Sequence, residues 1–306
     1  MTKPAILLLA HGTPNSIEDV PEYLANVTSG RTLSPEVVEE IKRRYSLIGR
    51  SPLTEITMQQ AALVSRELGL PVYVGMRNWK PYICDTVLQM TADGITHAVC
   101  ICLAPQNSRT SVGLYRRAVI GETGKAPFTV DFVPEWHAEP LLIRAFSERL
   151  RDGWSSACLE ANAPVPVLFT AHSVPVRTIE AGDDYERQTR ETAELVAATV
   201  PEVSGRWLFA FQSQGMSCGE WLGPSVESVI EELAAADQKY LFVQPIGFVC
   251  DHVEILYDVD IAFKKCAAER GITLTRAESL NDSVLFIRAV AQLARTRLAA
   301  WAQSSS

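Results

Sequence analysis

The chain has 306 residues, 47% apolar and 21% charged, with 36 acidic against 28 basic side chains and a formal charge of −8. That length suggests two domains and enough apolar mass for a sizeable core. The acidic balance argues against a nucleic-acid partner, which needs a basic surface, and no apolar run approaches the roughly 18 residues of a membrane span.

The first apolar run, AILLLA, is too short for a signal-peptide core and continues directly into HGTP. It reads as a buried first strand, in a chain expected to be cytoplasmic. Further strands are predicted at 72–76, 98–104 and 128–133, and then at 165–171, 207–212, 240–246 and 273–276. Helical patterns lie near 34–47, 54–68, 81–93, 138–152, 184–199, 224–236, 253–269 and 282–303. Strand–helix alternation implies parallel sheets with helices on both faces. The expected fold class is therefore α/β, with two similar doubly wound, Rossmann-like domains and an interdomain cleft. The stretch 155–166, rich in Ala, Ser and Pro, is the predicted linker, which puts the domains at 1–155 and 156–306.

One phrase occurs twice, half a chain apart: LLLAHGTP at 7–14 and LFTAHSVP at 168–175. Each places a histidine, His11 or His172, just past a predicted strand, where ligands bind in open α/β sheets. Two such histidines on matching strand ends could face one cleft. Each could serve as a base, a metal ligand or a packed polar group. Nucleotide fingerprints are missing: there is no G-x-G-x-x-G after a strand and no G-x-x-x-x-G-K-[ST]. The seven cysteines are odd in number and scattered, which is wrong for a disulfide scaffold. Cys100 and Cys102 share one face of a predicted strand and read as buried thiols.

A third loop, GFVCDHVEILYDVD at 247–260, follows the strand predicted at 240–246. Glu254 and Asp258 stand four apart on the helix predicted there and share a face. Carboxylates in a row are normally solvated. At a helix start beside a strand end, they could instead pass hard cations or carry protons. Asp251 is a candidate helix cap, and His252 a packing residue. A fourth, basic and aromatic set follows other predicted elements: Arg44 with Tyr45, Arg50 with Ser51, Arg77-Asn78-Trp79, and Ser108 to Tyr115. It suits the carboxylates of a flat ligand.

Taken in order, LLLAHGTP, RRYSLIGRSPLTEIT, YVGMRNWKP, DGITHAVCICLAP, TAHSVP, FQSQG…WLGPSVE and GFVCDHVEILYDVD span nearly the whole chain. This ordered set resembles the ferrochelatases, which insert Fe²⁺ into a porphyrin in haem synthesis. The short length and the RRY…SPLTEIT segment look most like the compact branch that metallates coproporphyrin III, with protoporphyrin IX the next expectation. The alternatives are a chelatase of another tetrapyrrole, such as sirohydrochlorin, or a non-catalytic haem carrier.

The resemblance implies that His172 and Glu254 are the metal-site and catalytic pair and that Asp258 continues an acidic row. Position 262, where that row often has another acid, is Ala262. Arg44, Tyr45, Ser51 and Tyr115 match porphyrin contacts. Arg31 lies in a loop where the compact branch often has a basic pair, replaced here by Thr28 and Ser29. His11 stands where compact relatives often carry Tyr, against the opposite face of the macrocycle. As an imidazole it could be an axial ligand to the product iron. Some relatives bind a [2Fe–2S] cluster through cysteines near the C-terminus. This chain has none after Cys266, so no cluster and no tightly bound cofactor are expected. Iron and porphyrin are then substrates of a monomer, and a haem-type compound is the product.

Overall fold

A computed structural model describes residues 2–121, 126–215 and 219–304. They form two compact units. The first takes residues up to Pro105, Arg109–Trp136 and Asn281 onward; the second takes Gln106–Ser108 and His137–Leu280.

In the first unit, β1 (Pro4–Ala10), β2 (Val72–Met76), β3 (His97–Cys102) and β4 (Thr129–Val133) form one sheet. The order is β2-β1-β3-β4 and all pairs are parallel. β1 from Ala5 onward and all of β3 are buried, as strands covered by helices on both faces must be. That burial explains why they read as unbroken apolar runs. Cys100 and Cys102 lie in this core, where burial pushes the Cys100 thiol up to about 12 and Cys102 well above its ordinary value. Both are free thiols without reactive character. The helices are α1 (Val20–Val27), α2 (Pro35–Ile48), α3 (Leu53–Leu68), α4 (Ile83–Ala92) and α5 (Val112–Ile120). α1 and α5 were not expected; each is under three turns, too short for a clear periodic signal.

The second unit repeats the plan. β5 (Val167–His172), β6 (Trp207–Gln212), β7 (Tyr240–Pro245) and β8 (Thr273–Arg276) run parallel in the order β6-β5-β7-β8. In both sheets the first strand is central and the chain turns outward before crossing back. The switch point therefore lies between first and third strands, here β5 and β7. Around them pack α6 (Pro140–Ala161), α7 (Val176–Glu180), α8 (Tyr185–Ala198) and α9 (Val226–Ala235). Past β7, Glu254–Phe263 form a π-helix, continued by α10 (Lys264–Ala268). Such segments bond five residues along instead of four and are frequent at functional sites. Within it Ile255, Val259 and Phe263 enter the core, and the acids Glu254 and Asp258 precede the first two of them.

Two expectations about organisation are corrected. The supposed linker at 155–166 is helical as far as Ala161, because the buried stripe of α6 continues through Trp154 and Ala157. Its Ala and Ser residues read as loop composition, but alanine is the strongest helix former. Trp154 then donates its indole N–H to the Val165 carbonyl at 2.7 Å and closes the turn into β5. The expected 155/156 division also fails, since the last helix, α11 (Val284–Ser304), belongs to the first unit. Gln59 and Gln60 of α3 bond Asp282 and the Asn281 carbonyl, each at 2.7 Å. Trp301 stacks on His97 of β3 with ring centroids 4.1 Å apart. Among the described residues, no helix is long and apolar enough to cross a membrane.

Candidate active site

His172 is the last residue of β5, and Glu254 opens the π-helix after β7, so both sit at the switch point of the second sheet. A main-chain cradle fixes the histidine. The Ser173 N–H donates to the Gln212 carbonyl at 2.7 Å, and the buried Ser173 hydroxyl donates to the Leu222 carbonyl at 2.8 Å. Tyr185, itself buried, donates its hydroxyl to the His172 carbonyl at 2.9 Å. Close packing demands glycine at 247: a Cβ there would lie 3.0 Å from both Cα and Cβ of Ala171.

The ring of His172 is oriented by one further bond. Its Nδ1 meets the Ser173 carbonyl oxygen. A carbonyl only accepts, so Nδ1 carries the proton and the neutral ring presents Nε2 as its lone pair. Nε2 faces Oε2 of Glu254 at 3.6 Å, too long for a hydrogen bond but close enough for charge to matter. That Oε2 is buried and has no hydrogen-bond partner. The two side chains remain 33% and 30% exposed, so a reactant can reach the pair. A carboxylate oxygen left without a donor beside an imidazole lone pair is an arrangement that awaits a cation or a proton.

The surroundings hold this pair. Phe248 packs edge-on against His172, with ring centroids 6.4 Å apart, and also against His252. Burial pulls the His252 imidazole below its ordinary value, against the opposing charge of Glu254, and its Nδ1 donates to the Cys250 carbonyl. The N-cap position of the π-helix is held by Val253, two residues after Asp251. Asp251 accepts from the Ser279 hydroxyl at 2.7 Å and pairs with Arg276 at 3.3 Å. Arg276 also chelates both oxygens of Asp260. Burial alone would raise the Asp260 carboxyl, but Arg276 and Lys264 hold it below its ordinary value. This network ties the end of β8 to the π-helix. Asp258 accepts from the Ser213 hydroxyl, and Ala262 ends the acidic row.

In the first unit, His11 and Tyr45 come together in one cluster. His11 Nε2 lies 3.1 Å from both the Tyr23 hydroxyl and the Asn78 amide nitrogen. Tyr23 packs edge-on against Tyr45, whose hydroxyl is 3.1 Å from that of Thr13. The turn behind His11 needs Gly12, which has φ +87° and would place a Cβ 2.7 Å from the Trp79 nitrogen. Arg44 is half-buried and bonds Glu40 at 3.0 Å. Arg43 and Arg44 together bring the Glu40 carboxyl down to about 2. Tyr115 is buried under the Arg77 guanidinium, 5.4 Å from its ring centroid. The Ser51 hydroxyl is buried without a hydrogen-bond partner, and Arg31 is exposed on the loop after α1. Sequence reasoning missed Tyr23, Tyr185 and the roles of Gln212 and Ser213. Tyr23 and Tyr185 carry no motif signal, whereas Gln212 and Ser213 fall within FQSQG.

The sequence profile of the ferrochelatase family matches residues 3–298. The chain belongs to the ferrochelatase family. A ferrochelatase of Acidobacterium capsulatum is 54% identical over 97% of this chain and 95% of that one. The coproporphyrin III ferrochelatase of Bacillus subtilis is 34% identical over 97% of this chain and 98% of that one. Among solved structures, SirB from Bacillus subtilis with Fe³⁺ superposes with a TM-score of 0.58 at 13% identity, covering 96% and 95% of the two chains. That likeness establishes the chelatase fold alone. As a ferrochelatase the protein acts in haem biosynthesis, with iron and a porphyrin as its substrates. Among the described residues no three His, Cys, Asp or Glu side chains group to hold a metal.

Proposed function

We propose that this ferrochelatase metallates coproporphyrin III, and that His172 and Glu254 carry out the insertion with Asp258 next in line. Insertion removes two pyrrole protons and strips water from Fe²⁺, with no change in oxidation state. His172, with Nδ1–H committed to Ser173, offers Nε2 to a pyrrole N–H or to the incoming ion. Glu254 stabilises the resulting imidazolium or holds the metal, and Asp258 takes protons onward. The observation that carries this reading is the unpartnered Oε2 of Glu254 facing Nε2 of His172 at 3.6 Å. The substrate assignment is supported by the name of the Bacillus relative and the RRY…SPLTEIT segment. The reading includes a monomeric enzyme without an iron–sulfur cluster.

The test is anaerobic Fe²⁺ insertion followed by absorbance, with coproporphyrin III, protoporphyrin IX and sirohydrochlorin side by side. The expected kcat/KM is highest for coproporphyrin III by about tenfold or more, because extra carboxylates reward a site that pairs them. Equal or better turnover of protoporphyrin IX overturns the substrate assignment, and preference for sirohydrochlorin overturns the porphyrin.

His11 is proposed as a ligand to the product iron. Tyr23 and Asn78 hold its ring at Nε2, with Asn78 also 3.3 Å from Nδ1, so a bond to Asn78 gives way when the ring takes the metal. His11→Ala is then expected to change the absorbance and electron paramagnetic resonance spectra of the enzyme–product complex. Spectra identical to those of the natural enzyme would remove His11 from the iron.

A further inference from the structure

Ser213, the residue after β6, has φ +58°. Non-glycine residues rarely adopt this left-handed backbone, and serine has no special tolerance for it. Glycine would make the turn without strain, so the side chain must supply what glycine lacks. Its hydroxyl donates to Oδ2 of Asp258. Ser213 Oγ in turn accepts from the Gln212 side-chain amide at 3.3 Å, and that amide also reaches the Glu254 carbonyl at 3.2 Å. Gln212 is itself buried, and its carbonyl accepts from the Thr170 hydroxyl at 2.7 Å. Thr170 lies in β5 two residues before His172.

One continuous network thus starts on the strand that ends in His172. It passes through the end of β6 and terminates on Glu254 and Asp258, two of the three acidic residues of the π-helix. Gln212 fixes the main chain at Glu254; Ser213 fixes the side chain of Asp258. With its one proton committed to Asp258 and one lone pair engaged by Gln212, the Ser213 hydroxyl is an anchor and not a free donor. A hydroxyl bound to a carboxylate is charge-assisted and fixes the acceptor's rotamer.

We propose that Ser213 is a positioning residue for iron insertion, holding the Asp258 carboxylate where it receives protons passed on from Glu254. This rests on the reading above, in which Glu254 and Asp258 take part in insertion. Protons alone move, from pyrrole nitrogen through these groups to solvent.

The test is a mutant cycle of Ser213→Gly, Ser213→Ala, Asp258→Ala and the Ser213→Gly/Asp258→Ala double variant. It is read by kcat, KM for Fe²⁺ and porphyrin affinity, with thermal melts to show that each variant is folded. Both single Ser213 variants are expected to lose about tenfold in kcat, while porphyrin affinity stays within about twofold. On the Asp258→Ala background, Ser213→Gly adds nothing further. Three results overturn the inference. One is natural turnover in Ser213→Gly while Asp258→Ala is impaired. Another is a loss in Ser213→Ala alone, which would mark backbone strain. The third is fully additive losses in the double variant. Natural turnover in Asp258→Ala would instead remove Asp258 from the proposed mechanism, and Ser213 with it.

Discussion

A Glu254→Gln enzyme is expected to insert iron about a thousandfold more slowly than the natural chain, with porphyrin affinity within about threefold of it. The substitution keeps the shape of the side chain and removes only its charge and its capacity to take a proton. In the natural protein, Oε2 is buried with no donor to satisfy it, 3.6 Å from the imidazole Nε2. Leaving a carboxylate oxygen so unattended is destabilising, and folds retain such groups where the charge does chemistry. The stability consequence runs opposite to the catalytic one. Glutamine lifts the cost of an unpaired buried charge, so the variant should melt no lower than the natural enzyme. Slow insertion together with an undiminished melting temperature separates lost chemistry from lost fold. Turnover within about tenfold of the natural rate would show that Glu254 is not in the reaction path.

The inner strands β1, β3, β5 and β7 were legible because each is an apolar run covered on both faces; the strands predicted at 72–76, 207–212 and 273–276 match the structure residue for residue. Composition misled where it competed with pattern. The Ala- and Ser-rich stretch after 155 looked like a linker, although Trp154 and Ala157 extend the buried stripe of α6. The return of α11 to the first unit rests on contacts such as Gln59 to Asp282, which no local signal announces. At the site, residue types and their spacing were readable: a histidine past a strand, and acids four apart. What they bond to was not. A four-residue spacing fits an α-helix and a π-helix alike, so the π form of 254–263 was invisible. The tautomer of His172 depends on a backbone carbonyl one residue on, which only the folded turn brings to Nδ1. His11 is held by Tyr23 and Asn78, distant in sequence and without a motif that links them.

His172→Ala is expected to reduce insertion by a similar factor, between about a hundredfold and ten-thousandfold, but by a different route that can be told apart. Glu254 removes charge from the site when changed; His172 removes the lone pair. The bond from Nδ1 to the Ser173 carbonyl points Nε2 toward Glu254, and the cradle of Ser173, Gln212, Leu222 and Tyr185 is main chain at every joint except the two hydroxyls. Truncation at Cβ therefore leaves the cradle intact and vacates only the ring. Added imidazole should enter that space, donate its N–H to the same carbonyl and restore part of the rate. It cannot restore Glu254→Gln, whose ring is already in place. Rescue confined to His172→Ala would identify the imidazole as the group that takes the pyrrole proton or the metal. Natural turnover without added imidazole would put that task on another residue, and the facing pair would then be a packing contact at a strand end.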